Sequence, residues 1–412
     1  MSKYFYQCND CGAKYQSNEV TYLCPKCEKD NNPTLPPKGV LKTHYNYDEI
    51  KAKYPKAELF KQLEKNAWID VLPIKSVESF PKLKVGNNPM YHFDTIEGKK
   101  LDFELYFKDD SQNPTYSFKD RASVLVSAFA KENNIETIVA ASTGNAGSSL
   151  AGLCAANNQK AIIFVPKAAP LAKLTQIIMY GAKIVPVDGT YDNAFDLSVE
   201  ATKQFGWYNR NTAFNPFTIE GKKTVSFEIF SNLKEKSPYF VFVPVGDGVI
   251  ISGVYKGFED LLNLGIIEKM PTIVCVQSDK SKNIVANLEN EDFVSYPSST
   301  IADSISVDIP RNFYMAKKFI KDFAGHGLLV TDEEIMQASK ILSRNTGLFS
   351  EPAATTSFAG VLKYMRENKI PKGAKVVTML TGSGLKDLKS VQPLLDMPAP
   401  IKPDVNELKR IF

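Results

Sequence analysis

No stretch of this 412-residue sequence is long and apolar enough to cross a bilayer, and Met1–Gln7 has no hydrophobic segment of the secretory-leader kind. An excess of one charge is also missing. The 50 Lys and Arg stand against 46 Asp and Glu, and the formal net charge of +4 is scattered along the chain, so neither nucleic acid nor a membrane is an expected partner. There is no internal repeat and no low-complexity segment. Histidine is scarce: His44, His92 and His326 match no motif, and each reads as structural. Six cysteines are too few for a disulfide framework in a chain of this size. What remains is an ordinary globular composition, 43% hydrophobic and 23% charged, with length for two or three domains and a large core. A cytoplasmic location is expected.

Four of the cysteines fall into two knuckles, Cys8-Asn9-Asp10-Cys11 and Cys24-Pro25-Lys26-Cys27. Each tight turn brings two thiolates to one side, and four thiolates satisfy tetrahedral zinc with no open position, which makes the metal structural. Tyr4, Phe5, Tyr6, Tyr15, Val20, Tyr22 and Leu23 then supply short strands of a zinc ribbon over residues 1–32. Asn31–Gly39, with Pro33, Pro36 and Pro37, is a stiff linker. Tyr47–Asn66 reads as helix interrupted at Pro55.

The stretch around which the chain is organised is Asn113-Pro114-Thr115-Tyr116-Ser117-Phe118-Lys119-Asp120-Arg121. Asn-Pro is a turn signal, Ser117 stands where an N-cap is expected, and apolar residues then recur at helical spacing at Val124, Leu125, Phe129 and Ala130. Lys119 is thus expected in the first turn, where the helix dipole disfavours an ammonium ion. A lysine held there in an apolar pocket becomes a usable amine nucleophile, as a Schiff base with an aldehyde cofactor requires.

Past Lys119, helical segments alternate with apolar strands at Ile138–Ala141, Ala161–Val165, Ile184–Val187, Phe240–Val245, Thr272–Gln277 and Lys375–Leu380. Helices are expected over Ser148–Ala156, Leu171–Tyr180, Asn193–Phe205, Glu220–Asn232, Gly253–Leu264, Thr331–Asn345 and Ala354–Asn368. This alternation predicts βαβ units and a doubly wound parallel sheet, with ligands beyond the carboxyl ends of the strands. Three loops lie there. Ser142-Thr143-Gly144-Asn145 joins a strand to a helix, and its amides and hydroxyls suit a carboxylate. Gly246-Asp247-Gly248-Val249-Ile250 is a turn whose amides can close round a phosphate dianion, provided that Asp247 points outward. Thr381-Gly382-Ser383-Gly384-Leu385-Lys386-Asp387 follows the last strand.

Asn-Pro followed by Ser-Phe-Lys-Asp-Arg, taken with these loops in this order, resembles the pyridoxal-phosphate enzymes of the tryptophan synthase β superfamily, and within them the threonine synthase family. The resemblance spans nearly the whole chain. It implies the fold-type II α/β architecture, two doubly wound parallel-sheet domains, and adds that some threonine synthases carry an N-terminal zinc ribbon. Residues 33–123 and 216–412 become the large cofactor-binding domain, and 124–215 a small mobile domain that closes over the substrate.

The resemblance also implies roles. Lys119 carries pyridoxal 5'-phosphate and acts as the catalytic base. Gly246, Asp247, Gly248, Val249 and Ile250 hold the phosphate, and Asn145 faces the ring oxygen. Thr381 meets the pyridine nitrogen, and Ser142, Thr143, Gly144 and Asn145 take the substrate carboxylate. Glu351-Pro352-Ala353 matches a turn near the ring. The implied reaction is conversion of O-phosphohomoserine and water to threonine and phosphate, by a carbon–oxygen lyase expected to assemble as a homodimer.

The pattern is also broken at several places. Thr218 stands for an arginine that binds the substrate phosphate, Thr212 for an asparagine, Ala146 for a frequent threonine and Ser383 for a histidine. Val85–Met90 lacks the threonine of the usual glycine-rich loop. These departures keep open a β-replacement on phosphoserine, as in cysteate synthase, and an amino-acid dehydratase or ammonia-lyase. A non-catalytic zinc-ribbon binding protein is the reading from another class, and the joint retention of Lys119, Asn145, Gly246, Gly248 and Thr381 argues against it.

Overall fold

A computed structural model describes residues 2–395, 397–408 and 410–411, so the outermost residues of the expected domain ranges, Met1 and Phe412, lie outside the described residues. The chain opens with a small antiparallel sheet. β1 (Tyr4–Cys8) pairs with β2 (Lys14–Gln16) on one side and with β3 (Leu41–Tyr45) on the other. The third strand therefore comes from beyond the proline-rich linker. Tyr22, expected in a strand, instead stacks on Phe214 and accepts the amide of Asn209 through its hydroxyl. Pro55 falls in the break between α1 (Tyr47–Lys53) and α2 (Leu59–Lys65).

A hairpin of β4 (Met90–Ile96) and β5 (Lys99–Asp109) leads into the lysine loop and α3 (Asp120–Glu132). β4 has mostly exposed side chains, so it lacks the apolar run that marks the buried strands. Next comes a parallel sheet with strands in the order β8-β7-β6-β9. It is built from β6 (Thr137–Ala141), α4 (Asn145–Ala156), β7 (Lys160–Pro166), α5 (Leu171–Met179), β8 (Lys183–Val187), α6 (Tyr191–Phe205) and the two-residue β9 (Tyr208–Asn209).

α7 (Phe217–Lys222) and α8 (Thr224–Asn232) return the chain to the large sheet. That sheet is completed by β10 (Phe240–Pro244), α9 (Val249–Asn263), β11 (Thr272–Ser278), α10 (Phe313–Asp322), β12 (His326–Val330), α11 (Asp332–Thr346), α12 (Pro352–Arg366) and β13 (Lys375–Leu380). Its order is β12-β11-β10-β13-β5-β4, parallel except for antiparallel β4 at one edge. The fold is thus α/β and doubly wound, with a mixed rather than wholly parallel large sheet. β10 is buried along its whole length and β11 and β13 nearly so, as strands covered by helices on both faces must be. No helix among the described residues is long and apolar enough to cross a membrane.

Several polar residues of the organising stretch are buried struts. Arg121 is 1% exposed and forks onto Asp110 (Nε–Oδ2 2.5 Å, Nη2–Oδ1 2.9 Å) and onto Glu228 of α8 (Nη1–Oε1 2.6 Å, Nη2–Oε2 2.7 Å). Lys108 of β5 reaches the same Glu228 at 2.7 Å. Asp120 accepts both the amide and the hydroxyl of Thr115. The 85–90 loop closes the back of this network: Gly86 N donates to Asn113 Oδ1 and Asn88 to Asp110.

Burial alone would push the Glu228 carboxyl upward, but Arg121 and Lys108 pull harder and hold it down at about 2. A depressed carboxylate contributes stability that is present above its unfolded value and is lost as the pH falls through the folded one. Arg121→Met leaves two buried carboxylates short of their partner. It is expected to cost about 3–5 kcal/mol and to move acid unfolding to higher pH, read by circular dichroism. An unchanged acid midpoint would show that the network is not what holds α3 to α8.

Candidate active site around Lys119

Lys119 lies at the cap position of α3, two helix positions earlier than the sequence predicts. Ser117 is not the cap; its hydroxyl accepts the Lys119 amide at 3.4 Å. The extended Ser117 backbone instead bridges to Gly382, and Phe118 N donates to Thr381 O at 2.9 Å. Ser350 bridges to Ser383 on the other side. The loop after β13 is therefore threaded between the lysine loop and the start of α12, which brings Thr381 and Glu351 to Lys119. Gly382 has to be glycine: a Cβ there would sit 2.4 Å from the Glu351 carboxylate.

Glu351 was legible only as part of a turn. In the fold it is 4% exposed and accepts Asn145 Nδ2 at 3.1 and 3.2 Å, joining the two sheets' loops across the site. Burial raises its pKa, while Lys119 and Asn145 act against that rise. Burial lowers the Lys119 pKa, Glu351 opposes this, Arg210 adds to the lowering, and Asp247 opposes it. Asp247 does not point away as expected. It is half buried, takes the Arg311 amide at 3.2 Å, and its charge acts on both Lys119 and Lys222.

The other predicted residues converge from two helix starts. Ser142, Thr143 and Gly144 precede α4, and Asn145 is its first residue rather than part of a loop before a later helix. Val249 and Ile250 likewise form the first turn of α9, with Gly248 as its cap at φ +84°. Both helices are long enough to present free amides and a positive end toward Lys119. The three histidines lie elsewhere: His44 stacks on Phe5, His92 on Tyr106, and His326 hydrogen-bonds Tyr364.

This loop set, a half-buried lysine between two helix N-termini with a hydroxyl at the end of the central strands, fits an aldehyde cofactor bearing a phosphate. Residues 82–382 match the family described as pyridoxal-phosphate dependent enzyme. The threonine synthase of Methanocaldococcus jannaschii is 36% identical over 412 residues, covering 98% of each chain. That of Methanosarcina acetivorans is 32% identical over 98% of each chain, and that of Bacillus sp. strain ULM1 36% identical over 77% of this chain and 88% of its own.

The chain belongs to the threonine synthase family.

Among solved structures, a processed threonine deaminase isoform 2 from Solanum lycopersicum superposes with a TM-score of 0.62 at 24% identity, over 72% of this chain and 84% of that one. The diaminopropionate ammonia lyase of Escherichia coli gives 0.63 at 16% identity, over 84% and 93%. At these identities they show the shared fold alone.

As a member of this family the chain is a pyridoxal-phosphate-dependent lyase. Two cations near Lys119, Arg210 and Lys222, were not legible as site residues. Arg210 follows a strand of only two residues, and Lys222 stands in the Asn215–Thr224 stretch at a position to which the sequence assigned no role.

At the other end of the chain the four cysteines do meet. Their sulfur atoms lie within 4.8 Å of one another, with Cys8–Cys27 at 3.8 Å and Cys11–Cys24 at 3.7 Å. Thiolates about 2.3 Å from a tetrahedral zinc are separated by about 3.8 Å, so the donor set has the right size.

Glu351→Gln removes the carboxylate that favours the charged form of Lys119. The onset of Lys119 labelling by an amine-reactive reagent, followed by mass spectrometry on cofactor-free protein, is therefore expected at lower pH than in the parent. A shift to higher pH would contradict the assigned proximity.

Proposed function

We propose that this chain converts O-phosphohomoserine and water to threonine and phosphate, with Lys119 as the residue that holds the cofactor and moves the protons. The observation that carries this reading is the match to threonine synthases along the whole chain, joined to a half-buried lysine of lowered pKa where the motif loops meet. Pyridoxal 5'-phosphate, when bound, supplies an electron sink for charge developing on the substrate's carbon skeleton.

Each role follows from the chemistry of the residue. The amides of Gly246, Asp247, Gly248, Val249 and Ile250 at the start of α9 would receive the cofactor's phosphate. Thr381 would present a neutral hydroxyl to the ring nitrogen, and Asn145, oriented by Glu351, an amide to the ring oxygen. Ser142, Thr143 and Gly144 at the start of α4 would bind the substrate's carboxylate, fixing the α-carbon near Lys119. Burial lowers the Lys119 pKa and so favours the neutral amine, the form that takes up a proton.

Residues 124–215 would act as a body that closes over the substrate and excludes water. Polar contacts link it to the rest, among them Lys173 to Asp303 at 2.8 Å, Asn145 to Glu351 at 3.1 and 3.2 Å, and the short pairs Arg311–Asp192 and Lys386–Gln176. A homodimer is part of the same proposal, tested by light scattering.

Lys119→Ala is expected to lower phosphate release from O-phosphohomoserine by about a thousandfold or more and to abolish the borohydride-sensitive visible absorbance of cofactor-loaded protein. Retention of that absorbance would assign the cofactor to another lysine. We also propose that Cys8, Cys11, Cys24 and Cys27 bind structural zinc. Elemental analysis is expected to find one zinc per chain, and Cys24→Ser to lose it with a fall in Tm. A metal-free parent of full stability would remove zinc from the account.

A further inference from the structure

Two buried cations near Lys119 form no salt bridge among the described residues, although Tyr191 and Asp120 act on Arg210. Arg210, 1% exposed, donates Nε to Ser123 Oγ at 3.1 Å and Nη1 to Thr212 Oγ1 at 3.3 Å, and its Nη2 has no partner among the described residues. Ser123 is one helical turn beyond Lys119 on α3, so the guanidinium lies on the helix face that carries Lys119. Lys222, also 1% exposed, has an Nζ without a partner among the described residues. Its stem packs on the second turn of α9, where a Cβ on Gly253 would stand 2.7 Å from Lys222 Cβ. Thr218, one turn earlier on α7, contributes no charge and spends its hydroxyl on Asn215 O at 2.8 Å.

The contrast with other buried cations in this chain is direct. Arg121, Lys108, Lys223 and Lys256 are each paired with carboxylates. Burying charge without a partner is costly, and folds keep it where a ligand completes the pairing. The charges acting on Lys222 are those of Arg210, Lys119 and Asp247; the first two disfavour its ammonium form. A dianion between them would reverse that.

We propose that Arg210 and Lys222 form the receptor for the phosphate ester of the substrate. The pair rests on the reading of the substrate given above and extends it to these two residues. The cofactor's own phosphate has the free amides at the start of α9, and the carboxylate has those of α4, so the pair serves a third anionic group. The Arg210 fork offers two N–H donors to phosphate oxygens, and Lys222 adds a point charge.

The test uses cofactor-loaded enzyme and inorganic phosphate as the probe. Phosphate affinity is measured by calorimetry, KM and kcat with O-phosphohomoserine, and cofactor affinity by titration. Arg210→Met and Lys222→Met keep volume and remove a buried unpaired charge, so their Tm is expected to stay or rise. Each is expected to weaken inorganic phosphate about tenfold or more and to raise KM by a similar factor, with kcat and cofactor affinity close to the parent.

Should Arg210→Met not fold, Arg210→Lys, which keeps the charge and loses the fork, is expected to fall between the parent and Lys222→Met. Unchanged phosphate affinity in both Met variants, or a loss confined to cofactor affinity, would overturn the proposal. So would a parent that binds no phosphate. If the parent binds phosphate, both variants lose it, and O-phosphohomoserine is not turned over, the receptor stands and the substrate reading alone fails.

Discussion

The fork of Arg121 onto Asp110 and Glu228 is the interaction on which the rest depends. An amine used in chemistry has to be held in a place that water would otherwise make unremarkable, and a lysine side chain cannot hold itself. The fold fixes the two residues after it instead. Asp120 takes the Thr115 amide and hydroxyl, Arg121 ties α3 to α8 and to the end of β5, and Lys119 is left half-buried at the helix cap. Because those charges are fully paired and buried, their geometry has few alternatives, and removing one partner strands the others.

Charge is used in two opposite ways inside this chain. Away from the site, cations and anions are matched. Lys223 meets Glu220 at 2.5 Å and Asp260 at 2.7 Å, Lys256 meets Asp260, and Tyr45 of the small N-terminal sheet donates to Glu220 at 2.5 Å. That second network ties β3 to α7 and α9, so the N-terminal segment is keyed into the body by a buried polar contact as well as by apolar packing around Phe217. At the site the balance is broken in favour of cations. The acidic groups that act on Lys119, Arg210 and Lys222 are Glu351, a half-buried Asp247 and, at Arg210, Tyr191 and Asp120, and two helix N-termini add partial positive charge. Anionic ligands complete such a pocket, and their binding energy is available because the fold has already desolvated the charges that receive them.

The loop after β13 shows how a local motif acquires meaning from its neighbours. Thr381, Gly382 and Ser383 are close in sequence but serve different partners. Thr381 pairs with Phe118, Gly382 yields its side-chain space to Glu351, and Ser383 N bonds Tyr116 O while its backbone bridges to Ser350. Lys386, four residues past Gly382, crosses to Ser148 of α4 and to Gln176 of α5. One loop thereby touches the lysine, the acid that orients Asn145, and the opposite sheet.

The alternation of apolar strands with helices, the two cysteine knuckles and the lysine loop were determined by the sequence itself, because each rests on local spacing: period, tight turns and a helix start. The exposed edge strand β4, the short β9 and the third strand of the N-terminal sheet carry no such local signal, since their hydrogen bonds are made with segments far away in the chain. The same division runs through the site. Lys119, Asn145, the glycine turn and Thr381 announce themselves by motif. Glu351 as the anchor of Asn145, the inward charge of Asp247 and the bare cations Arg210 and Lys222 were decided only by tertiary structure. Whether a charged side chain is solvated, paired or left waiting in a dry pocket depends on which distant atoms surround it, and no spacing along the chain encodes that.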